Sequence, residues 1–173
     1  MKGILLRFLK ITTLFTAFCG VLASCGPDEA QKAIEAKADS LFISVRCVST
    51  VTGLITTNYL LPGQKKAAYK MEYIREAWPD TITRAQAVKL TSLQEVGLGY
   101  EKLIATSKGL QAQSAQQLEQ LKKLNSGINT GALSKEDLRQ YLTFESKCAD
   151  TLNRVLDTLV KRAIELSCKS QSL

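Results

Sequence analysis

The sequence predicts an all-α fold, an elongated helical bundle built on a long antiparallel helical hairpin. Three observations lead there. Apolar residues recur in steps of three and four along most of the chain, the spacing of one helix face. Prolines stand only at 27, 62 and 79, so few positions interrupt that spacing. Two cap signals, Thr83-Arg84-Ala85-Gln86 and Ser134-Lys135-Glu136-Asp137, sit just ahead of the two longest periodic runs.

The first helix is expected over about residues 28–60. Its seam is Ile34, Ala38, Leu41, Val45, Val48, Thr52, Ile55 and Tyr59. Residues 43–57 are rich in β-branched side chains, which suit a strand, but the unbroken heptad spacing decides for helix. Leu61-Pro62-Gly63 is expected to end it. A short helix follows over about 65–77, with Ala67, Met71, Ile74 and Trp78 along one side. Pro79-Asp80 is a break.

The third helix is expected over about 83–128. Its seam is Leu93, Val96, Tyr100, Leu103, Ser107, Leu110, Ser114, Gln117, Leu121, Leu124 and Ile128. Gly97, Gly99 and Gly109 each cost about 1 kcal/mol relative to Ala, which makes a bend there plausible. Such a helix spans roughly 65–70 Å, longer than a compact bundle of this size needs. The hairpin tip is therefore expected to project, unless the glycines fold it back. The polar stretch at 107–120 marks either a distal segment that pairs with another protein or a solvated helix outside the core. The turn spans Asn125 to Gly131. The last helix covers about 134–169, with the seam Leu138, Leu142, Glu145, Ala149, Leu152, Leu156, Leu159, Ala163 and Leu166. Asp150/Arg154, Asp157/Lys161 and Glu165/Lys169 place acid before base four residues apart, the favourable order.

The N-terminal segment reads as a leader rather than as part of the fold. Lys2, Arg7 and Lys10 form a positive region, and residues 11–23 a short apolar one. At about a dozen residues it is too short to span a bilayer and reads as a secretory core. Leu22-Ala23-Ser24-Cys25-Gly26 then resembles the lipobox of bacterial lipoproteins. The resemblance implies a signal peptide over 1–24, cleavage between Ser24 and Cys25, diacylglycerol on the Cys25 thiol and an acylated, palmitate-type amino terminus. The mature domain would be 25–173, anchored to a membrane through acyl chains on Cys25. An Asp directly after the anchor resembles an inner-membrane retention signal. Gly26 stands there instead, which favours the outer membrane, with the domain in the periplasm or at the cell surface. Asp28 and Glu29 suit the positive end of a helix.

Composition removes several function classes. The chain has 173 residues, a net charge of +7 and no histidine. Nucleophile–histidine pairs, HExxH zinc sites and histidine pH switches are excluded. Without the leader's three basic residues the charge falls to +4, and export removes the chain from the chromosome, so no nucleic-acid partner is expected. Gly97-Leu98-Gly99 lacks the rest of a dinucleotide fingerprint, and neither a GxSxG nor a phosphate-binding loop occurs. Glu145 is the one acid in a core-like position, and a lone seam carboxylate is no catalytic set. No enzyme activity, metal or cofactor is expected.

Of five cysteines, Cys19 leaves with the leader and Cys25 carries lipid, leaving Cys47, Cys148 and Cys168. Cys148 and Cys168 lie about 30 Å apart on one helix and cannot pair. A hairpin folded at Pro62-Gly63 would bring Cys47 nearer to Cys168 than to Cys148. Cys47 with Cys168 is therefore favoured over Cys47 with Cys148, and both are set against three reduced thiols.

Lys65, Lys66 and Lys70 share the short helix with Tyr69, Tyr73 and Trp78. Lys65, Lys66, Lys70, Tyr73 and Trp78 are the candidate contact residues for an anionic membrane or a protein partner. The expected function is that of a lipid-anchored structural or interaction component of the cell envelope, in outline an accessory part of a secretion or conjugation machine. Two alternatives stand beside it: an inhibitor or immunity lipoprotein that neutralises an envelope toxin, and a lipoprotein that binds an apolar ligand between its helices.

Overall fold

A computed structural model describes residues 27–78 and 82–173. Residues 1–26, where a leader and the Cys25 anchor are expected, lie outside the described residues, as does the expected break at Pro79-Asp80. The described chain is all-α. Helix α1 (Pro27–Ile55) leads through a π turn (Thr56–Leu60) into α2 (Leu61–Ala77). Helices α3 (Arg84–Thr130) and α4 (Lys135–Ser172) follow. They form a three-helix bundle in which α1, with α2 as its continuation, runs antiparallel to α3 and alongside α4.

The cap chemistry sets the helix starts. Thr83 Oγ1 accepts from the Gln86 backbone N–H, and Gln86 Oε1 accepts from the Thr83 N–H at 2.8 Å, a closed capping box. Ser134 Oγ accepts from the Asp137 N–H at 3.1 Å, with Glu136 and Asp137 in the first turn of α4. Helix α3 runs unbroken through Gly97, Gly99 and Gly109 and stops at Gly131, whose φ of 66° is left-handed. The N–H groups of Gly131 and Ala132 satisfy carbonyls of the last turn.

The seams read from the sequence are the core. Ile34, Ala38, Leu41, Val45, Val48 and Thr52 of α1 are buried, as is every seam residue of α3 from Leu93 to Ile128. In α4 the buried seam positions are Leu138, Leu142, Glu145, Ala149, Leu152 and Leu159, with Leu156, Ala163 and Leu166 half-buried; Ser170, outside the seam, is buried as well.

Two expectations fail, each for a physical reason. Leu61-Pro62-Gly63 does not end the first helix. The Leu61 N–H reaches the Thr56 carbonyl five residues back, so the wider π turn admits one extra residue. Pro62 has no N–H to donate and falls in the first turn of α2, where the exposed surface lets water reach the freed carbonyls. The extra residue also moves the seam: Leu60 is buried where Tyr59 was expected, and Tyr59 is exposed. The hairpin of α3 and α4, in turn, does not stand apart from the rest. Helix α1 lies along it, and Asn125 near its tip reaches Asp39. The polar stretch at 107–120 therefore does not leave the core: Ser107, Ser114 and Gln117 are buried.

At the opposite end Tyr100 joins three helices. Its ring lies against Gly63 of α2, where any β-carbon would overlap it. Its hydroxyl bonds to Ser167 and Ser170 of α4, and burial pushes its pKa up against those two bonds.

Candidate functional site: the outer face of the first helix

Helix α1 turns a second stripe outward, opposite its core seam. Ile43, Cys47, Thr50, Leu54 and Thr57 step by four, three, four and three, and all are exposed. Ile43 is 67% and Leu54 55% exposed. Beyond the π turn, Leu61 at the edge and Pro62 extend the stripe, and both are exposed. From Cys47 to Gln64 no residue is charged. A solvated helix of a soluble bundle normally covers its outer face with charge. Here the stripe has the spacing of a coiled-coil seam, and among the described residues no helix lies on it.

Charge is concentrated on either side of this neutral stretch. Over 27–39 the chain carries Asp28, Glu29, Glu35 and Asp39 against Lys32 and Lys37. Over 65–76 it carries Lys65, Lys66, Lys70 and Arg75 against Glu72 and Glu76. The acidic excess lies at one end of the rod and the basic excess at the other.

The residues singled out from the sequence fall into two groups. Lys65, Lys66, Tyr69 and Tyr73 are exposed on α2 and continue the outer surface. Lys70 is turned inward, donating to the Ser170 carbonyl at 2.9 Å and tying α2 to α4. Trp78 is half-buried and already extended, so it closes α2 rather than offering a contact. Lys70 and Trp78 therefore leave the contact set.

Cys47, Cys148 and Cys168 are free thiols, with Cys47 and Cys168 exposed. The bundle separates the expected pair. Asn153 donates to Ser44 across α4 and α1 at 3.2 Å, which sets Leu156 level with Cys47. Cys168 lies about 18 Å further along α4. The expected register came from a hairpin at Pro62-Gly63 that does not form.

Inside the bundle, Glu145 is 6% exposed between α4 and α3. Gln117 Nε2 donates to the Glu145 backbone carbonyl at 2.9 Å and to Oε2 at 3.2 Å. Gln117 Oε1 has no partner. Burial pushes the Glu145 carboxyl above the usual carboxylate range, opposed by the Gln117 hydrogen bond. Burial and the Glu145 charge raise the neighbouring Cys148 thiol. Thr56 and Ser107 share a further hydrogen bond between the π turn and α3. The Gln117 and Ser107 contacts lie about 15 Å apart along α3 and tie it to α4 and to the π turn. Two grooves, one along Leu103, Val155 and Arg162 and one along Arg139 and Phe144, are shallow and open to solvent. Among the described residues no group of three ligating side chains converges as a metal site would need.

No family model, curated protein or solved structure matches the chain. The site is described by its own chemistry alone: a partly apolar helix face, uncharged from Cys47 to Gln64, between an acidic and a basic end.

The core periodicity of α1 does not mark this outer stripe. The eighteen residues without charge from Cys47 to Gln64 were the available signal.

Proposed function

We propose that the protein is a lipid-anchored component of a bacterial cell envelope that works by protein contact, through the outer face of its first helix. The observation that carries this reading is the exposed, heptad-spaced stripe Ile43, Cys47, Thr50, Leu54 and Thr57, none of them charged, with Arg46 the one charge beside it. Leaving Ile43 and Leu54 in water forgoes roughly 1.5–3 kcal/mol per side chain, which a docked helix would recover in part. The lipobox resemblance supports the anchor. Cys25 lies two residues before the start of α1, so the anchor leads straight into the helix that bears the stripe. A role as an accessory part of a secretion or conjugation machine belongs to this proposal.

A photo-crosslinking side chain at position 54, in cells that make the full chain, tests the reading. Discrete protein adducts are expected at 54 and not at Arg139 on α4. Cys25→Ala should move the protein from the membrane to the soluble fraction. Absence of adducts at 54 would refute the docking role, and a membrane fraction unchanged by Cys25→Ala would refute the anchor.

A further inference from the structure

We infer that the occupant of this outer face is a second copy of the same chain, packed antiparallel. The inference rests on the reading of the stripe as a docking face and names its partner.

Two facts select a second copy. The first is the absence of charge. Two identical faces bring like charges together unless the face is neutral, and residues 47–64 are neutral over about 27 Å of helix. The second is the placement of charge at the two ends. A parallel pair would set acidic end on acidic end and basic on basic. An antiparallel pair sets each acidic end on the partner's basic end.

The spacing fixes the register. With the two-fold axis level with Thr52, Thr50 meets Leu54 of the second copy, and Cys47 meets its Thr57. The shorter Thr50 leaves room for the larger Leu54, and Cys47 and Thr57 are both small. Ile43 comes level with Leu61 and Pro62, which close the ends with apolar surface. One turn further out, Asp39 comes level with Lys65; both are exposed. The face is short, so the pair is weak in solution. Two-dimensional confinement by a lipid anchor raises the effective concentration.

Cys47 supplies the test. In the antiparallel register Cys47 faces Thr57 and lies about 15 Å from the other Cys47. The full chain is used in native membranes, with Cys148 and Cys168 replaced by serine and mild oxidation applied. Thr57→Cys should give a disulfide-linked band at twice the chain mass. The band should vanish when Cys47→Ser is added, and Cys47 alone should give none. Asp39→Lys should lower the crosslink yield roughly threefold, and adding Lys65→Asp should restore it. Leu54→Arg should abolish it while leaving the helical circular dichroism unchanged.

Four outcomes overturn the inference. A Cys47–Cys47 band in the chain without Thr57→Cys means parallel packing. A probe on Leu54→Cys that is quenched by brominated lipids means the face lies on the bilayer. Adducts from position 54 only to other proteins, with no Thr57→Cys band, sink the second copy and leave the docking role standing. If position 54 forms no adduct and no band appears, both readings fail.

Discussion

Glu145 is held among apolar neighbours with one amide for company, and that amide has a spare acceptor. Burial favours the protonated acid, and the Gln117 N–H bond to Oε2 only partly opposes it. The carboxyl is more basic in the folded chain than in the unfolded one. Its contribution to stability is therefore fully present below the ordinary carboxylate pKa and is lost as pH rises through the raised value. Wherever the carboxyl is ionised, burial makes its charge a cost to the bundle. Glu145→Gln removes the charge and brings a donor within reach of Gln117 Oε1. We expect it to stabilise the bundle at pH 7 by about 1 kcal/mol, or about 2–4 °C in Tm. The gain should shrink towards pH 4, and thermal melts of both proteins across that range check it. Gly63 makes the opposite case. The Tyr100 ring occupies the place of its side chain, so Gly63→Val should cost about 1–3 kcal/mol. Pairing it with Tyr100→Leu should cost less than the two separate losses, because one overlap accounts for both. Urea titrations of the four proteins measure the difference.

Among the elements, α3 and α4 were legible almost residue by residue, and α1 as far as Thr52. A hydrophobic seam is a local property, and the 3.6-residue period exposes it directly. The π turn was not legible. It replaces the break expected at Pro62 with a one-residue slip just ahead of it. Nothing in Thr56–Leu60 marks it, since the turn depends on how α1 and α2 pack on α3 at once. Polar seam residues misled for a related reason. Ser107, Ser114 and Gln117 look like a gap in the stripe, yet each finds a hydrogen bond inside the bundle. Helix α2 differs from its neighbours in having Ala67 as its one buried residue. It packs on α3 and touches α4 at few points. Its amides should exchange with solvent faster than those of α1 between Ala38 and Thr52. Hydrogen exchange read by mass spectrometry checks this, and equal protection in both segments would contradict it.

For the whole molecule, the sequence yields the helices and their faces but not which helix covers which. A seam says that a face is buried, and it is silent about the partner. Once α1 is seen to lie along the hairpin, its second stripe stands out as uncovered. That step needs three helices in place, so periodicity in one helix could not supply it. The continuity of α1, the π turn and α2 has a mechanical consequence. The rod from Pro27 to Ala77 is about 75 Å long, and its first residue lies two beyond the proposed anchor. With so little slack, an anchor of that kind would make the rod a lever with its fulcrum at the lipid. A tilt of about 10° at the bilayer would swing the far end through roughly 13 Å, given the helical rise. Two such levers coupled in opposite directions would have their fulcrums at opposite ends. They would lie flat along one membrane, or span the gap between two.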